Sequence, residues 1–341
     1  MVLGVGTEES QMTPAILGSD GVVLAKLAAP TSSRPVRLGV LADAHVASRE
    51  TGTDRLFHRT EARFEMAIDR LNAADPDLVL FDGDLTKDGE PWNVERVESL
   101  LGDLEVPFLA TPGNHDVPKA FDEHETPTLS TFEERFVPEG LPTHRKVGDV
   151  DLVVLNSATL PDGTLADDHR GAISHSQLEW LETTLQVVAN PVVAFHHNLL
   201  PIIRSDLARR EPWRTYSVRN DTAVLDVLER HGVPLVLSGH HHVPATIRLG
   251  GLTQVIAPAA CAYPQAHLLL DVDDTGTTVR LVPHANDVEQ REAYEALCSG
   301  PDLRRTFAGL IDDTLSSAPL VNDVARRITP QSPVAPGRRV R

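Results

Sequence analysis

The sequence predicts an α/β fold in which the ends of several strands meet. Up to about residue 240, short apolar segments of β-prone residues alternate with segments of helical periodicity. Beyond residue 242 the chain changes to alternating segments joined by tight turns, which is typical of antiparallel strands. Each apolar segment in the first part ends in a short polar run. This layout is compatible with two packed sheets flanked by helices.

Helices are predicted where apolar residues recur at spacings of three and four. The apolar sets are Phe64, Ala67, Ile68 and Leu71; Val94, Val97, Leu100 and Leu101; Leu178, Leu181, Leu185 and Val188; and Ala223, Val224, Val227 and Leu228. Strands are predicted over residues 36–42, 78–81, 106–111, 192–195, 235–238, 246–249, 252–256, 267–272 and 277–282. Turns at 250–251 and 273–276 separate the last strands.

The chain divides into one main domain and two end segments. We place the main domain at residues 36–286, because every polar run lies inside it. Residues 1–35 are interpreted as an extension, with a hairpin over 15–24 and a Pro/Ser linker. Residues 287–328 indicate two further helices. The tail from 329 to 341 has three prolines, three arginines and no apolar periodicity, so we expect disorder there.

Composition favours a soluble, cytoplasmic protein. The chain has 341 residues, of which 41% are hydrophobic, and this is enough for a sizeable core. Its two cysteines, Cys261 and Cys298, lie outside the polar runs and offer no disulfide framework. No apolar stretch approaches the roughly 20 residues that span a bilayer. Residues 1–11 contain no Lys or Arg, so they lack the start of a secretory signal.

The net charge of −18 argues against nucleic acid as a partner, because phosphate contacts need Lys and Arg. We therefore expect a small-molecule partner and no membrane partner. The basic tail could touch nucleic acid or a neighbouring subunit, which leaves a homodimer open. A solvated terminus is the favoured explanation of the tail.

The polar runs can together supply ligands to one metal site. They are Asp43-Ala44-His45, Gly83-Asp84, Gly113-Asn114-His115-Asp116, His196-His197 and Gly239-His240-His241-His242. Taken singly, each run is also compatible with a polar turn or a solvated histidine cluster. Their joint occurrence favours a metal site, because strand ends in α/β proteins converge on one crevice. Only Lys87 and Lys119 lie close in sequence to the Asp84 and Asn114 runs, and the flanks of the runs offer few basic partners, so divalent metal is the simpler neutraliser.

In this order the runs resemble the signature of the calcineurin-like metallophosphoesterase superfamily: D-x-H, G-D, G-N-H-[D/E], a strand-end H and G-H-x-H. They span residues 43–242, and their spacing is similar to that of class III cyclic-nucleotide phosphodiesterases. The segment 169–181, which leads into a predicted helix, is also similar to the corresponding segment of those phosphodiesterases. The resemblance implies a four-layer α/β/β/α sandwich of two mixed β-sheets flanked by helices. It also implies two metal ions, for which the donor types suit Mn, Fe or Zn.

The resemblance further implies a role for each residue of the runs. The residues implied to bind one metal ion are Asp43, His45 and His242, and those implied to bind the other are Asn114, His196 and His240. Asp84 would bridge the two ions. His115 would lie over the leaving group, oriented by Asp116. His197 would either support the site from behind or contact the substrate, and the sequence leaves both open.

The implied chemistry is phosphoester hydrolysis. Two cations roughly 3.5–4 Å apart can share a bridging water and lower its pKa toward neutrality. The resulting hydroxide would attack phosphorus in line. An imidazole at His115 would then protonate the leaving group, which is typically worth about 10²–10⁴-fold. His115 could instead only hold the Asn114 loop in place.

Several functions share this site. A phosphodiesterase of the cyclic-nucleotide type fits the motif spacing best, and the alternative is a phosphomonoesterase acting on a small phosphorylated metabolite or nucleotide. A non-catalytic scaffold is less favoured, because no motif position is missing. The acidic balance of the chain disfavours a nuclease. Fold does not choose among these, because function depends on the site.

One segment reverses the acidic character of the chain. Five arginines lie between residues 204 and 219, interleaved with Trp213 and Tyr216. We hypothesise that Arg214 clamps a substrate phosphate and that Trp213 stacks on a base. A surface loop whose arginines pair with neighbouring acids explains the same pattern.

Overall fold

The computed structural model describes residues 14–119, 122–166, 168–203 and 210–324. The strands are β1 (Val22–Leu27), β2 (Val36–Leu41), β3 (Leu78–Asp82), β4 (Phe108–Thr111), β5 (Thr143–Val147), β6 (Val150–Val154), β7 (Pro191–Ala194), β8 (Leu235–Ser238), β9 (Ala245–Leu249), β10 (Leu252–Ile256), β11 (Ala266–Asp273), β12 (Gly276–Pro283) and β13 (Val321–Asn322). The helices are α1 (Thr60–Ala74), α2 (Pro91–Leu101), α3 (Leu129–Phe136), α4 (His175–Leu185), α5 (Asp221–Arg230), α6 (Asp287–Ser299) and α7 (Asp302–Ser317). Short 3-10 helices cover Phe57–Arg59 and Trp213–Tyr216.

Within the described ranges, the strands form two mixed sheets. One has seven strands in the order β13-β1-β12-β11-β2-β3-β4, and the other has six in the order β5-β6-β7-β8-β10-β9. Strands β2, β3 and β4 run parallel in the first sheet, and β6, β7 and β8 run parallel in the second. The carboxyl ends of these strands therefore lie together at one edge of each sheet.

The alternation of side chains along the strands produces four layers. Leu80 of β3 lies in the apolar cluster between the two sheets, whereas its neighbour Phe81 packs on the other face against Phe64 of α1. The second sheet has a similar arrangement, because Val193 of β7 faces outward and packs with Leu181 of α4. The predicted α/β/β/α sandwich is confirmed.

The end segments differ from the expected extensions. No strand forms at residues 15–17, so the hairpin predicted over 15–24 is wrong. Strand β1 instead pairs with β12 and β13, because Leu24 and Leu27 are buried in the cluster between the sheets. The two helices predicted after residue 287 are present as α6 and α7, and both contribute to the same cluster.

Besides the short 3-10 helices, α3, β5, β6 and the two-residue strand β13 were not predicted. Helix α3 has only eight residues and is capped by the preceding Thr128, whose side chain accepts from the Thr131 amide. Two turns are too short for a clear periodicity. Strand β5 pairs with β6 at the edge of its sheet.

No helix in the described part of the chain is long and apolar enough to cross a membrane. The tail 329–341 lies outside the described residues.

Candidate metal centre

The structure brings the predicted ligands together at the carboxyl ends of five parallel strands. They follow directly on β2, β3, β4, β7 and β8. Ligand atoms of Asp84, His196 and His240 all lie within 4.8 Å of one another, and so do those of His45, Asp84 and His115. Residues distant in sequence therefore form one compact, buried cluster.

Asp84 lies at the middle of the cluster. Its Oδ2 is 3.6 Å from Nε2 of His45 and 3.2 Å from Nε2 of His196. Its Oδ1 accepts a hydrogen bond from the His115 amide at 2.9 Å. A Cβ on Gly113 would lie 2.1 Å from this Oδ1, so only glycine permits the close approach of the two loops. This central position fits the bridging role that the family signature implies.

Asp43, His45 and His242 form one side of the cluster. Nε2 of His242 lies 3.2 Å from Oδ1 of Asp43 and 3.2 Å from Nε2 of His45. The amide of His240 donates to Oδ2 of Asp43 at 2.9 Å, which fixes the carboxylate. Two imidazoles and a carboxylate with their donor atoms this close form a suitable ligand set for a divalent cation.

On the other side, Asn114 and His196 present ligand atoms without hydrogen-bond partners. Nδ1 of His196 donates to the Asp82 carbonyl at 2.7 Å, which leaves Nε2 facing the cluster. The Asn114 amide group donates to Nδ1 of His169 at 2.9 Å, which leaves its Oδ1. Both remaining atoms are buried and find no hydrogen-bond partner within the described ranges. The unpaired, buried Oδ1 of Asn114 is costly, and a bound metal ion would satisfy it. Nε2 of His196 has the Asp84 carboxylate 3.2 Å away, and a metal ion would replace its proton.

The backbone at the cluster is held in an uncommon conformation. Asp43, His45, Asp84, His240 and His242 all have φ between 45° and 64°, in the left-handed region. Such residues cost on the order of 1–3 kcal/mol each and cluster at functional sites. The strand ends therefore hold these side chains in place at the expense of local stability.

The electrostatics also favour a cation. Burial raises the pKa of Asp43 to about 7, despite the opposing charge of His196. Burial lowers the pKa of His196, but the charge and contact of Asp84 outweigh it and raise the pKa to about 10. Burial holds the pKa of His45 and of His240 well below the usual range. Without metal the cluster therefore retains protons that a metal ion must displace.

The affinity for Mn²⁺ should weaken as the pH falls. His196 must lose a proton on metal binding at any neutral pH, and below pH 7 Asp43 must lose one as well. Each displaced proton weakens binding by about tenfold per pH unit. Calorimetric titration of metal-free protein between about pH 8 and about pH 6 measures this. A dissociation constant that does not change with pH would contradict the assignment of these ligands.

The structure corrects the partner expected for His115. The carboxylate of Asp116 does not contact the His115 ring, because it accepts from the amides of Leu85, Thr86 and Gly113. Asp88 takes that place, with its Oδ1 3.1 Å from Nδ1 of His115. Asp116 therefore holds the two loops together, and the expectation that it orients the His115 imidazole is wrong.

Asp88 also contacts a lysine. Nζ of the buried Lys119 lies 3.0 Å from its Oδ1. Burial raises the pKa of Asp88, but its hydrogen bond to His115 and the charges of His115 and Lys119 outweigh burial and hold the pKa well below the usual range. Asp88 is thus an ionised carboxylate beside the imidazole. Its position four residues after Asp84 gave no signal in the sequence.

His197 lies behind the cluster. Its Nε2 donates to the His169 carbonyl at 3.2 Å, and its Nδ1 lies 2.8 Å from the hydroxyl of Ser157. Burial lowers the pKa of His197 to about 3, so the ring is neutral and Nδ1 accepts from Ser157. Of the two roles left open for His197, the geometry supports positioning rather than substrate contact.

Trp213 and Arg214 do not reach the cluster of predicted metal ligands, contrary to expectation. Trp213 stacks on His241 and packs against Phe307, so its ring is used in apolar packing. The exposed Arg214 lines a separate groove that also contains Arg170. Two further arginines of the basic segment, Arg204 and Arg209, lie outside the described residues.

A cavity of about 270 Å³ opens over the cluster. Besides predicted site residues, it is lined by Arg55, His169, Thr215, Tyr216 and Arg304. His169 stacks on His115, with ring centroids 5.1 Å apart. His169 is the first residue of the segment 169–181, whose resemblance to the phosphodiesterases could have identified it as a site residue. Arg55 and Arg304 come from a loop and from α7, where no motif marks them.

Comparisons with known proteins agree with this geometry. A family model described as calcineurin-like phosphoesterase matches residues 36–244. A probable cyclic nucleotide phosphodiesterase of Rhodococcus erythropolis is 29% identical over 65% of this chain and 69% of its own length. A 3',5'-cyclic-nucleotide phosphodiesterase of Nostoc is 25% identical over 75% of this chain and 96% of its own length.

A solved structure shares the fold. The crystal structure of a dimetal phosphatase from Danio rerio aligns with a TM-score of 0.60, covering 74% of this chain and 97% of that chain at 14% identity. The family model spans more than half of the chain and includes all the predicted metal ligands. The chain therefore belongs to the calcineurin-like phosphoesterase family and is a phosphoester hydrolase.

Proposed function

We propose that the chain is a metal-dependent phosphodiesterase of the cyclic-nucleotide type with a dinuclear centre. The observation that carries this proposal is the convergence of ligand atoms from five strand ends on Asp84. The diester preference is supported by the relatives named as cyclic nucleotide phosphodiesterases. The motif spacing supports the same class of substrate.

Asp84 would hold both ions. The ligands proposed for one ion are Asp43, His45 and His242, and those proposed for the other are Asn114, His196 and His240. When bound, such ions lower the pKa of a shared water and withdraw charge from the phosphate oxygens. Mn, Fe and Zn all suit this donor set. The His196–Asp82 and Asn114–His169 hydrogen bonds orient the two side chains before metal enters.

His115 is placed to protonate the leaving group. Its ring lines the cavity, and Nδ1 is engaged by Asp88, so Nε2 is the nitrogen left to face a substrate. An alkoxide leaves more easily when it receives a proton from such a group. The ionised Asp88 fixes the tautomer and orientation of the imidazole, as carboxylates do for paired histidines.

A phosphomonoesterase is the second candidate. Two arginines, Arg55 and Arg304, line the cavity, and added positive charge favours the dianion of a monoester over the monoanion of a diester. Both candidates use the same ligands, so the metal site does not separate them.

Paired hydrolysis of bis-p-nitrophenyl phosphate and p-nitrophenyl phosphate tests the proposal. The protein is stripped with EDTA and assayed with and without Mn²⁺. We expect Mn²⁺ to restore activity with a preference for the diester, after which 3',5'-cyclic AMP is the next substrate. A monoester preference would favour the second candidate. Inactivity towards all three substrates, with metal shown to be bound, would contradict both.

A further inference from the structure

Two arginines from outside the metal-binding loops meet at the cavity over the metal cluster. Arg55 lies in the loop between β2 and α1, and Arg304 lies in the first turn of α7. Both line the same cavity of about 270 Å³ as Asp84, His115 and His242. Helix α7 lies beyond the family match, which ends at residue 244. The C-terminal part of the chain therefore supplies a wall of the catalytic cavity.

Arg55 faces the cluster without a carboxylate partner. No acidic side chain in the described part of the chain lies within ion-pair distance of its guanidinium, and its Nε is buried without a hydrogen-bond partner there. Arg55 lines the same cavity as the proposed ligand His242. An unpaired guanidinium beside the ligands is available to an anion from solvent.

Arg304 is held in place by two contacts. Its Nε lies 3.1 Å from Oδ2 of Asp54, and its guanidinium lies over the ring of Phe307, 5.4 Å from the centroid. Phe307 in turn packs against Tyr216 and His241. Asp54 precedes Arg55, so one ion pair ties α7 to the loop that carries the other arginine. The two guanidinium groups thus reach the cavity from two different elements, the loop between β2 and α1 and helix α7.

We infer that Arg55 and Arg304 bind the anionic phosphoryl oxygens of the substrate and contribute more to the binding of dianionic than of monoanionic phosphates. Guanidinium groups bind phosphate through charge-assisted, often bidentate hydrogen bonds. Because Asp54 neutralises only one of them, the pair keeps positive charge over the site. That charge favours a dianionic phosphate over a monoanionic one. This inference rests on the proposed function only in taking the ligand to be a phosphoester.

The experiment compares orthophosphate binding and ester hydrolysis in Arg55→Gln, Arg304→Gln and the control Arg305→Gln. Arg305 neighbours Arg304 on α7, is exposed and pairs with Asp302 rather than facing the cavity. In Mn²⁺-loaded protein, we expect each cavity variant to bind orthophosphate about 10- to 100-fold more weakly by calorimetry. We also expect kcat/KM to fall more for p-nitrophenyl phosphate than for its bis ester. The control should match the parent protein.

An Asp54→Asn variant distinguishes phosphate binding by Arg304 from a purely structural role of the Asp54–Arg304 ion pair. If Arg304 binds phosphate, this variant should bind orthophosphate at least as tightly as the parent, because Arg304 loses its neutralising partner. If the ion pair only fastens α7, Asp54→Asn and Arg304→Gln should lower the melting temperature alike and leave orthophosphate affinity unchanged. That result, or cavity variants that bind like Arg305→Gln, would overturn the inference. A parent protein that binds orthophosphate but hydrolyses neither ester would count against the proposed function alone.

Discussion

Replacing Asp84 by Asn should abolish metal-dependent turnover. Asp84 contacts His45, His196 and the His115 amide, so a neutral amide there removes the shared negative charge between the two ligand sets. Metal ions supply several kcal/mol of transition-state stabilisation. Losing about 4 kcal/mol corresponds to roughly 10³-fold in kcat/KM. We expect a loss of at least this size, together with loss of bound metal measured by elemental analysis.

Asp82→Asn is a matched control for this variant. Asp82 lies two residues earlier, is equally buried, and its carboxylate has no hydrogen-bond partner among the residues described. Burial raises the pKa of this carboxyl to about 7 in the metal-free site, and Asn has the size and shape of the protonated acid. We expect Asp82→Asn to retain metal at about pH 6. Equal metal loss in both variants would mean that any change in this strand end disrupts the site.

Replacing His115 by Ala should remove turnover and leave the metal in place. The ring lines the cavity, and in the proposed role it protonates the leaving group. Such help is worth about 10²–10⁴-fold. Kinetics with bis-p-nitrophenyl phosphate and elemental analysis of the same sample measure the two quantities. If metal and activity are lost in equal proportion, His115 only holds the Asn114 loop.

Two carboxylates beside His115 should behave differently from each other. Asp88→Asn removes the partner of the imidazole and should lower turnover by about 10- to 100-fold. Asp116→Asn instead removes a charged acceptor of three backbone amides. It should lower the free energy of unfolding by about 1–3 kcal/mol. If Asp116→Asn changed the pH profile of turnover and Asp88→Asn did not, the corrected pairing would be refuted.

The clustering of the proposed metal ligands was predictable because each lies in a short run at the end of a predicted strand. Asp43, Asp84 and His196 each follow a short apolar strand, and the parallel arrangement brings strand ends to one edge. The family signature then identifies the residue within each run. His240 illustrates this, since the pattern selects it and His242 from three consecutive histidines, and the structure aims these two at the cavity.

The residues that surround and position the proposed ligands could not be predicted from the sequence in this way. Asp88 and Asp116 are both acidic and both near motif positions, and only the path of the loop decides which one meets His115. Arg304 reaches the cavity because α7 packs on the core between the sheets, a contact between regions far apart in the chain. Local sequence patterns do not specify such contacts between distant regions of the chain.

The misassigned elements have similar causes. Residues 15–24 carry turn residues and apolar residues that suit a hairpin, but β1 finds a better partner in β12, where Leu24 is fully buried. Trp213 was assigned to a substrate base because aromatic rings stack on bases. In the structure its ring is already packed against His241 and Phe307. In both cases tertiary packing outweighed the local pattern.

Titration of Mn²⁺ into metal-free protein, with calorimetry and bis-p-nitrophenyl phosphate hydrolysis on the same samples, tests the dinuclear centre most directly. The proposed ligand sets predict two ions bound per chain and hydrolysis that rises with the second ion. Asp84→Asn should bind neither ion tightly. Full activity with one ion per chain, or tight binding of both ions by Asp84→Asn, would contradict the account.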